Sequence, residues 1–130
     1  MKVYICGKIG EEVLSSETRE KFARAEKMLR SNGYDVFNPT TSGFGESAEL
    51  AAVRYGTSFY KEIIIYDLAA LKQCDAIYML SDWEKSPGAN VEYDYAVATG
   101  IKRLWENKAD ATVFWDDEET VSEVWLPIKD

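Results

Sequence analysis

The chain has 130 residues, of which 46% are hydrophobic and 29% charged, and this composition is typical of one soluble globular domain. Its formal net charge is −8, so it lacks the excess of Lys and Arg that neutralises the phosphates of a nucleic acid. It contains no histidine, which excludes an imidazole base or zinc site and leaves acid–base chemistry to carboxylates. We therefore expect a small-molecule ligand, no nucleic-acid polymer, no metal and no other cofactor.

The sequence also bears on location and redox state. No apolar run approaches the length that spans a membrane, and residues 1–6 read as a strand rather than as a secretory signal. We therefore expect a cytoplasmic protein that does not bind a membrane. Cys6 and Cys74 lie in apolar segments without the spacing of a metal site or a disulfide framework, so we expect buried thiols.

The first half of the chain is predicted to form a β-α-β unit. A strand over residues 2–6 is followed by a loop, and a helix begins near Ser15 or Ser16, whose hydroxyl can cap its first turn. Gly33 is suited to end this helix in a left-handed conformation, and a second strand over residues 34–37 follows. The inner face of the helix is predicted to carry Phe22, Ala25, Met28 and Leu29.

The second half continues the alternation of helix and strand. Residues 40–46 are rich in Gly, Ser and Thr and are compatible with either a lid or an ordinary loop. The pattern then predicts helices over 47–55, 59–73 and 93–99 and strands over 75–80, 101–105 and 112–115, with a solvated turn over 116–119. We find no internal repeat or linker, so residues 1–130 are predicted to form one α/β domain. Its sheet is expected to be mostly parallel, with four or five strands and helices on both faces.

A carboxylate stands on the apolar face of the longer helix. Asp67 is the only charge in this stripe, and burial would raise its pKa, as a general acid requires. The alternative is that Asp67 lies at the edge of the stripe or caps a neighbouring loop. The stripe consists of Tyr60, Ile63, Ile64, Asp67, Leu68 and Leu71.

A second carboxylate, Glu92, follows a loop that leaves the end of a predicted strand. We expect it in the first turn of the helix over 93–99, where unpaired N–H groups and the helix dipole keep a carboxylate ionised and attract an anionic ligand. Loops at the carboxyl ends of parallel strands are where open α/β sheets bind ligands. The alternative is that Glu92 only complements the dipole on a solvated face.

Three short motifs occur in a distinctive order. They are Tyr4-Ile5-Cys6-Gly7 in the first strand, Asp67-Leu68 followed by Cys74-Asp75, and Ser86-x-Gly88-x-x-x-Glu92. In this order and spacing the chain resembles the nucleoside 2-deoxyribosyltransferase-like superfamily over most of residues 1–105. With Trp83 before the serine loop, it is similar to a compact family of phage and bacterial domains, domain of unknown function 4406.

The resemblance implies a flavodoxin-like (Rossmann-like) fold and cleavage of the N-glycosidic bond of a nucleoside or nucleotide. Glu92 matches the nucleophile that attacks the anomeric carbon, Asp67 the carboxyl that assists the leaving base, and Tyr4 a tyrosine that positions the nucleophile. The tyrosine is equally compatible with a core position. The substrate-binding residues implied are Gly7, Lys8, Ile9, Asp82, Ser86, Gly88, Ala89 and Asn90.

Ser86 bears on the kind of substrate. In the families that this chain resembles, hydrolases of nucleoside 5′-monophosphates have a serine at this position, whereas transferases of free nucleosides have an aspartate, which would repel a phosphate. We therefore expect a nucleoside 5′-monophosphate N-glycosidase. The alternatives are a nucleoside 2-deoxyribosyltransferase and a catalytically silent nucleotide-binding or phage accessory protein. Lys8 replaces a serine of the monophosphate hydrolases and is compatible with phosphate binding or with a solvated position.

The C-terminal stretch has no clear match in the motifs above. In the superfamily that the chain resembles, a neighbouring subunit often completes the active site from this region, and we therefore expect a homo-oligomer. Trp125, Leu126 and Ile128 are candidates for oligomer contacts or for a tail packed on its own core.

Overall fold

The computed structural model describes residues 1–9 and 14–106 and the backbone of the strand Val124–Trp125. The strands pair in the order β2-β1-β3-β4-β5 and all neighbours are parallel. This is the strand order of flavodoxin-like folds, as expected from the sequence. The strands are β1 Lys2–Cys6, β2 Asp35–Phe37, β3 Ala76–Met79, β4 Lys102–Trp105 and β5 Val124–Trp125; the helices are α1 Ser16–Ser31, α2 Phe44–Tyr55, α3 Phe59–Leu71 and α4 Pro87–Thr99.

Helices cover both faces of the sheet, which confirms the predicted layering. On one face, Val3 and Ile5 of β1 pack with the apolar side of α1, where Phe22, Ala25, Met28 and Leu29 are buried as predicted. On the other face, Tyr4 and Cys6 pack with residues of α3 and α4. Because side chains alternate along a strand, β1 directs Tyr4 and Cys6 toward the same helices.

The first helix begins and ends as its sequence predicts. The Ser15 hydroxyl accepts a hydrogen bond from the Thr18 N–H and caps α1, and Gly33 follows the helix with a φ of 87°. Both cysteines are buried free thiols, as expected. No helix in the described part of the chain is long and apolar enough to cross a membrane.

Two helices begin earlier than the sequence predicts. The segment predicted as a loop over 40–46 is a short 3₁₀ turn, Pro39–Thr41, and α2 begins at Phe44, where the Ser42 hydroxyl accepts the Phe44 N–H. Helix α4 begins at Pro87 instead of residue 93. The strand and turn predicted over 112–115 and 116–119 lie outside the described residues, as do the side chains proposed for oligomer contacts. The fifth strand of the described sheet is Val124–Trp125.

Candidate active site

A cavity of about 980 Å³ lies beside the loops that leave the carboxyl ends of β1 and β3. The chain continues from β1 into α1 on one face of the sheet and from β3 into α4 on the other. Ligands of flavodoxin-like folds bind at this reversal, because the two connections diverge and leave a crevice. Of the catalytic and substrate-binding residues predicted from the sequence, those that line the cavity are Gly7, Ile9, Asp67, Ser86, Gly88, Ala89 and Glu92.

Glu92 lies in the second turn of α4 and is only 6% exposed. The expectation of a first-turn carboxylate was therefore wrong, and so was the alternative of a solvated face. The helix begins five residues before Glu92, which places this carboxyl on the inner stripe with Ala89, Tyr93 and Ala96. Burial raises the pKa of this carboxyl and outweighs the helix dipole, which acts mainly within the first turn.

A hydrogen-bond donor from β1 faces the Glu92 carboxylate. The Tyr4 hydroxyl donates to Oε2 at 2.9 Å, whereas the Cys6 thiol, also on β1, donates to the Ala89 carbonyl oxygen at 3.5 Å. Burial, followed by the negative charge of Glu92, raises the pKa of Tyr4 well above its ordinary value, so the hydroxyl keeps its proton. Tyr4 itself is fully buried and does not line the cavity, so it contacts the carboxylate from the side of the sheet.

Asp67 lies across the cavity on α3 and is 7% exposed. Its burial agrees with the position that the apolar stripe predicts, although Tyr60 of the same stripe is 54% exposed at the cavity wall. Among the described residues, Asp67 Oδ1 has no hydrogen-bond partner. A buried carboxyl oxygen without a partner is costly in the ionised form, so this site favours the protonated acid.

The two carboxyls titrate as a pair. Burial raises the pKa of Asp67 from 3.8 to about 7, and burial together with the charge of Asp67 raises that of Glu92 from 4.5 to about 8. Between these values the pair holds about one proton. The Tyr4 hydroxyl donates to Glu92, whereas Asp67 Oδ1 has no partner, so hydrogen bonding favours the negative charge on Glu92, against the order of the two pKa values.

The start of α4 follows from its sequence. Ser86 is the N-cap, and its Oγ accepts the Ala89 N–H at 3.2 Å, while Pro87 occupies the first helical position, where no N–H is needed. The Asn90 amide donates to the Ser86 carbonyl at 2.8 Å and to the Glu84 carbonyl at 3.1 Å. Asn90 does not line the cavity. Its side-chain hydrogen bonds stabilise the turn that leads into α4.

Asp82 and Lys8 hold the loop after β1 rather than lining the cavity. The Lys8 N–H donates to Asp82 Oδ1 at 3.0 Å, and Lys21 forms an ion pair with Asp82 and donates to the Lys8 carbonyl. The Lys8 side chain is exposed. Gly7 permits the close approach of the two loops, because a Cβ there would lie 2.6 Å from a Leu80 methyl carbon.

Several cavity residues were missed in the sequence. Arg19 lies one turn before the inner stripe of α1, and Lys61 lies among the apolar residues at the start of α3. Glu46 and Glu49 line the cavity, and α2, which carries them, begins at Phe44. The glycines near its start led the sequence analysis to begin this helix only at residue 47. The position of each of these residues along its helix can be read from the sequence. Which side of a helix borders a cavity cannot, because it depends on packing between elements far apart in the chain.

In the described part of the chain, no group of three or more Cys, Asp or Glu side chains is arranged to hold a metal ion. The fold and the paired carboxyls define a flavodoxin-like α/β domain with a ligand cavity at its topological switch point. Within that class the chain belongs to the family described as Domain of unknown function (DUF4406), whose model matches residues 1–104. This match confirms the family-level resemblance. No curated protein matches the chain.

Proposed function

We propose that the protein cleaves the N-glycosidic bond of a nucleotide, with a nucleoside 5′-monophosphate as substrate. The observation that carries the proposal is the pair of buried carboxyls facing one cavity, of which one accepts a hydrogen bond from Tyr4 and the other has an oxygen without a partner. Such an asymmetric pair is suited to supply a nucleophile and an acid at the same time. The resemblance to nucleoside 2-deoxyribosyltransferase-like proteins points to the same chemistry.

The proposed reaction has two displacements. In the first, the Glu92 carboxylate attacks the anomeric carbon, the bond to the base nitrogen breaks with its electron pair on the base, and Asp67 delivers its proton to the base. In the second, Asp67, now ionised, takes a proton from water, whose oxygen attacks the anomeric carbon and releases Glu92. Tyr4 holds the carboxylate in place through its 2.9 Å hydrogen bond.

The start of α4 supports the assignment of a 5′-phosphate. Ser86, Gly88 and Ala89 line the cavity at the N-terminus of this 13-residue helix, where backbone N–H groups attract anions. A Cβ on Gly88 would only reach ordinary contact distance, 3.8 Å from Ile64, so the surface in front of this turn is open to a ligand. Arg19 and Lys61 add positive charge to the cavity wall.

A second candidate is a nucleoside 2-deoxyribosyltransferase, and the charge of the cavity favours it. Among the described residues, its lining holds four carboxyl residues, Glu46, Glu49, Asp67 and Glu92, but only two cations, Arg19 and Lys61. A cavity with excess negative charge suits an uncharged nucleoside better than a phosphate dianion. In that reaction a second base, rather than water, accepts the sugar from Glu92.

The test is a screen of nucleosides and their 5′-monophosphates for release of free base, with and without a second base as acceptor. Base release from monophosphates without an acceptor is the expected result, and Glu92→Gln is the matched inactive control. Release only with an acceptor supports the transferase. A ligand that raises the melting temperature of the protein without losing its base identifies a binding protein instead.

The homo-oligomer and the cytoplasmic location remain predictions. Large apolar side chains are exposed on neighbouring helices, with Leu50 at 72%, Val53 at 81% and Ile65 at 65% exposure. Such a surface is compatible with contact between subunits. The molar mass of the protein in solution, measured by sedimentation or light scattering, tests the oligomer directly.

A further inference from the structure

One ion pair binds both backbone polar groups of Lys8, in the loop after β1. The Lys8 N–H donates to Asp82 Oδ1 at 3.0 Å, and the Lys8 carbonyl oxygen accepts a hydrogen bond from Lys21 Nζ at 2.8 Å. Lys21 Nζ also lies 2.5 Å from Asp82 Oδ2, which closes the ring of contacts. We call these two side chains and the Lys8 backbone the loop clamp. It joins α1, the loop after β1 and the loop after β3 at one point.

The clamped residue lies between two residues of the cavity wall. Gly7 and Ile9, before and after Lys8 in the chain, both line the cavity. Gly7 packs so closely on the loop after β3 that a Cβ there would lie 2.6 Å from a Leu80 methyl carbon and 3.2 Å from Asp82 Oδ1. Ile9 packs against the core on the α1 face of the sheet. The position of the Lys8 backbone therefore sets the position of this part of the wall.

The ion pair of the clamp differs from an ordinary surface pair. The Lys21 and Asp82 side chains are 25% and 27% exposed, so solvent screens their charges only in part. Exposed pairs contribute little to stability, because they hold two otherwise free side chains in one geometry. These two charges also bind backbone groups, and hydrogen bonds to charged groups are stronger than those between neutral ones. The pair is therefore suited to fix a loop.

We propose that Lys21 and Asp82 are positioning residues, which hold the Lys8 backbone so that Gly7 and Ile9 form a preorganised wall of the ligand cavity. Neither charged side chain lines the cavity, so both act through the loop rather than by contact with the ligand. Without the clamp, the loop would be ordered only when the ligand binds, and this entropy cost would weaken binding. The effect on catalysis rests on the proposed function, whereas the effect on the loop does not.

The same helix offers a matched control. Arg30 Nε donates to Glu26 Oε2 at 2.8 Å in a second ion pair of α1, and neither of these residues lines the cavity. Arg30 also donates to the Val36 carbonyl oxygen, so this pair lies beside β2. Arg30→Met therefore removes an ion pair from α1 and leaves the loop clamp in place.

Hydrogen exchange of the Lys8 amide, measured by NMR, tests the clamp itself. We expect Asp82→Ala, which removes the acceptor, to accelerate this exchange roughly tenfold, the equivalent of one hydrogen bond to a charged group. Lys21→Met keeps the acceptor and removes its ion-pair partner, so it should accelerate the exchange by a smaller factor. Arg30→Met should leave it unchanged. Should Asp82→Ala not fold, Asp82→Asn removes the charge and should shift the exchange in the same direction.

Steady-state kinetics test the link to the ligand. Loss of the clamp weakens the bound ground state and the transition state alike, so KM should rise roughly three- to tenfold while kcat changes little. The double variant of Lys21→Met and Asp82→Ala should have the KM of Asp82→Ala alone, because the two side chains act as one unit. Arg30→Met, which only removes a stabilising contact from the same helix, should keep the wild-type KM.

The proposal is overturned if the Lys8 amide exchanges at the wild-type rate in the Asp82 variant, or is accelerated equally in Arg30→Met. An unchanged KM in both clamp variants, or effects on KM that multiply in the double variant, contradicts the role of the clamp in forming the wall. If the wild type releases no base from any nucleotide or nucleoside, the proposed function fails, and the exchange measurement still decides whether the clamp holds the loop.

Discussion

Glu92 occupies a position where the inner face of a helix would ordinarily carry an apolar side chain. Its neighbours on this face, Ala89 and Ala96, are buried, and Glu92 is 6% exposed. Burial of a charge costs several kcal/mol unless hydrogen bonds compensate. The Tyr4 hydroxyl provides part of that compensation, and burial raises the pKa of Glu92 despite this hydrogen bond. A position this costly is typical of a residue retained for chemistry.

We expect Glu92→Gln to reduce base release on the order of a thousandfold or more, because an amide cannot form the glycosyl ester. The substitution keeps the shape of the side chain, and its amide oxygen can still accept the Tyr4 hydroxyl, so the variant should fold. Circular dichroism and steady-state kinetics measure the two effects. A folded variant that keeps near wild-type turnover would remove Glu92 from the mechanism.

Asp67→Asn should slow cleavage most for bases that leave poorly. A general acid matters in proportion to the need of the leaving group for a proton, so activated bases should be affected least. The comparison is kcat/KM for two nucleotides that differ only in the basicity of the leaving base. An equal loss for both would mean that Asp67 only positions the base or supports the fold.

At the scale of elements, α4 shows why the site was harder to predict than the fold. The residues Ser86, Pro87 and Gly88 are typical of a turn, but a serine followed by proline is also typical of a helix start. The local pattern fits both, and the structure selects the helix. The spacing of Ala89, Glu92, Tyr93 and Ala96 was a visible signal, since it continues one stripe through the glutamate.

Helix α3 was predicted more completely. Asp67 lies on the buried side, as its place among apolar residues indicated, and the helix ends at Leu71, close to the expected boundary. Tyr60, Ile63 and Ile64 of the same stripe line the cavity together with Asp67. An apolar stripe predicts which side of a helix faces inward, but it does not distinguish a packed core from the wall of a cavity.

Ser86→Asp tests the proposed phosphate site at the start of α4. Aspartate is as good an N-cap as serine, so α4 should keep its start while a negative charge is added beside the ligand. Repulsion of a 5′-phosphate should cost on the order of 1–3 kcal/mol, whereas a free nucleoside should be affected less. The measurement is kcat/KM for a nucleoside and its 5′-monophosphate with each protein.

The wild type should prefer the monophosphate, and the variant should prefer the nucleoside. If the wild type handles both equally, or if the variant loses activity on both alike, Ser86 does not bind phosphate. Either result would strengthen the transferase alternative.

For the whole molecule, the alternation of strands and helices predicted an α/β domain with a mostly parallel sheet, and the family resemblance implied its flavodoxin-like fold. Parallel strands buried on both faces are strongly apolar, and Ala76 to Met79 is completely buried. The cavity was not predictable in the same way, because its wall combines α1, α2, α3 and α4. Residues such as Arg19 and Glu49 reach it only through the relative placement of helices that are far apart in sequence.

The buried carboxyl pair also makes a prediction about global stability. Both carboxyls have folded pKa values, about 7 and about 8, above their ordinary values of 3.8 and 4.5. The folded state therefore binds more protons than the unfolded state, so this contribution is complete below about pH 4 and is lost as pH rises through the folded values. The free energy of unfolding should therefore decline between about pH 4 and about pH 8.

Glu92→Gln removes one of the two titrating carboxyls, so the free energy of unfolding of this variant should decline less with rising pH than that of the wild type. Chemical denaturation at pH 5 and pH 9 should show the variant gaining free energy of unfolding, relative to the wild type, at the higher pH. If the two proteins differ in free energy of unfolding by the same amount at pH 5 and at pH 9, Glu92 is not buried in the protonated form.

The central claim is that Glu92 becomes covalently bonded to the sugar, and the intact mass of the protein tests it most directly. A nucleoside 5′-monophosphate with fluorine at the 2′ position and a good leaving base should form the ester and hydrolyse slowly, because fluorine disfavours the positively charged transition state. The predicted result is a mass gain of one fluorinated sugar phosphate, located on the peptide that contains Glu92 and absent from Glu92→Gln. Base release with an unmodified chain, a label on another residue, or neither base release nor label would contradict it.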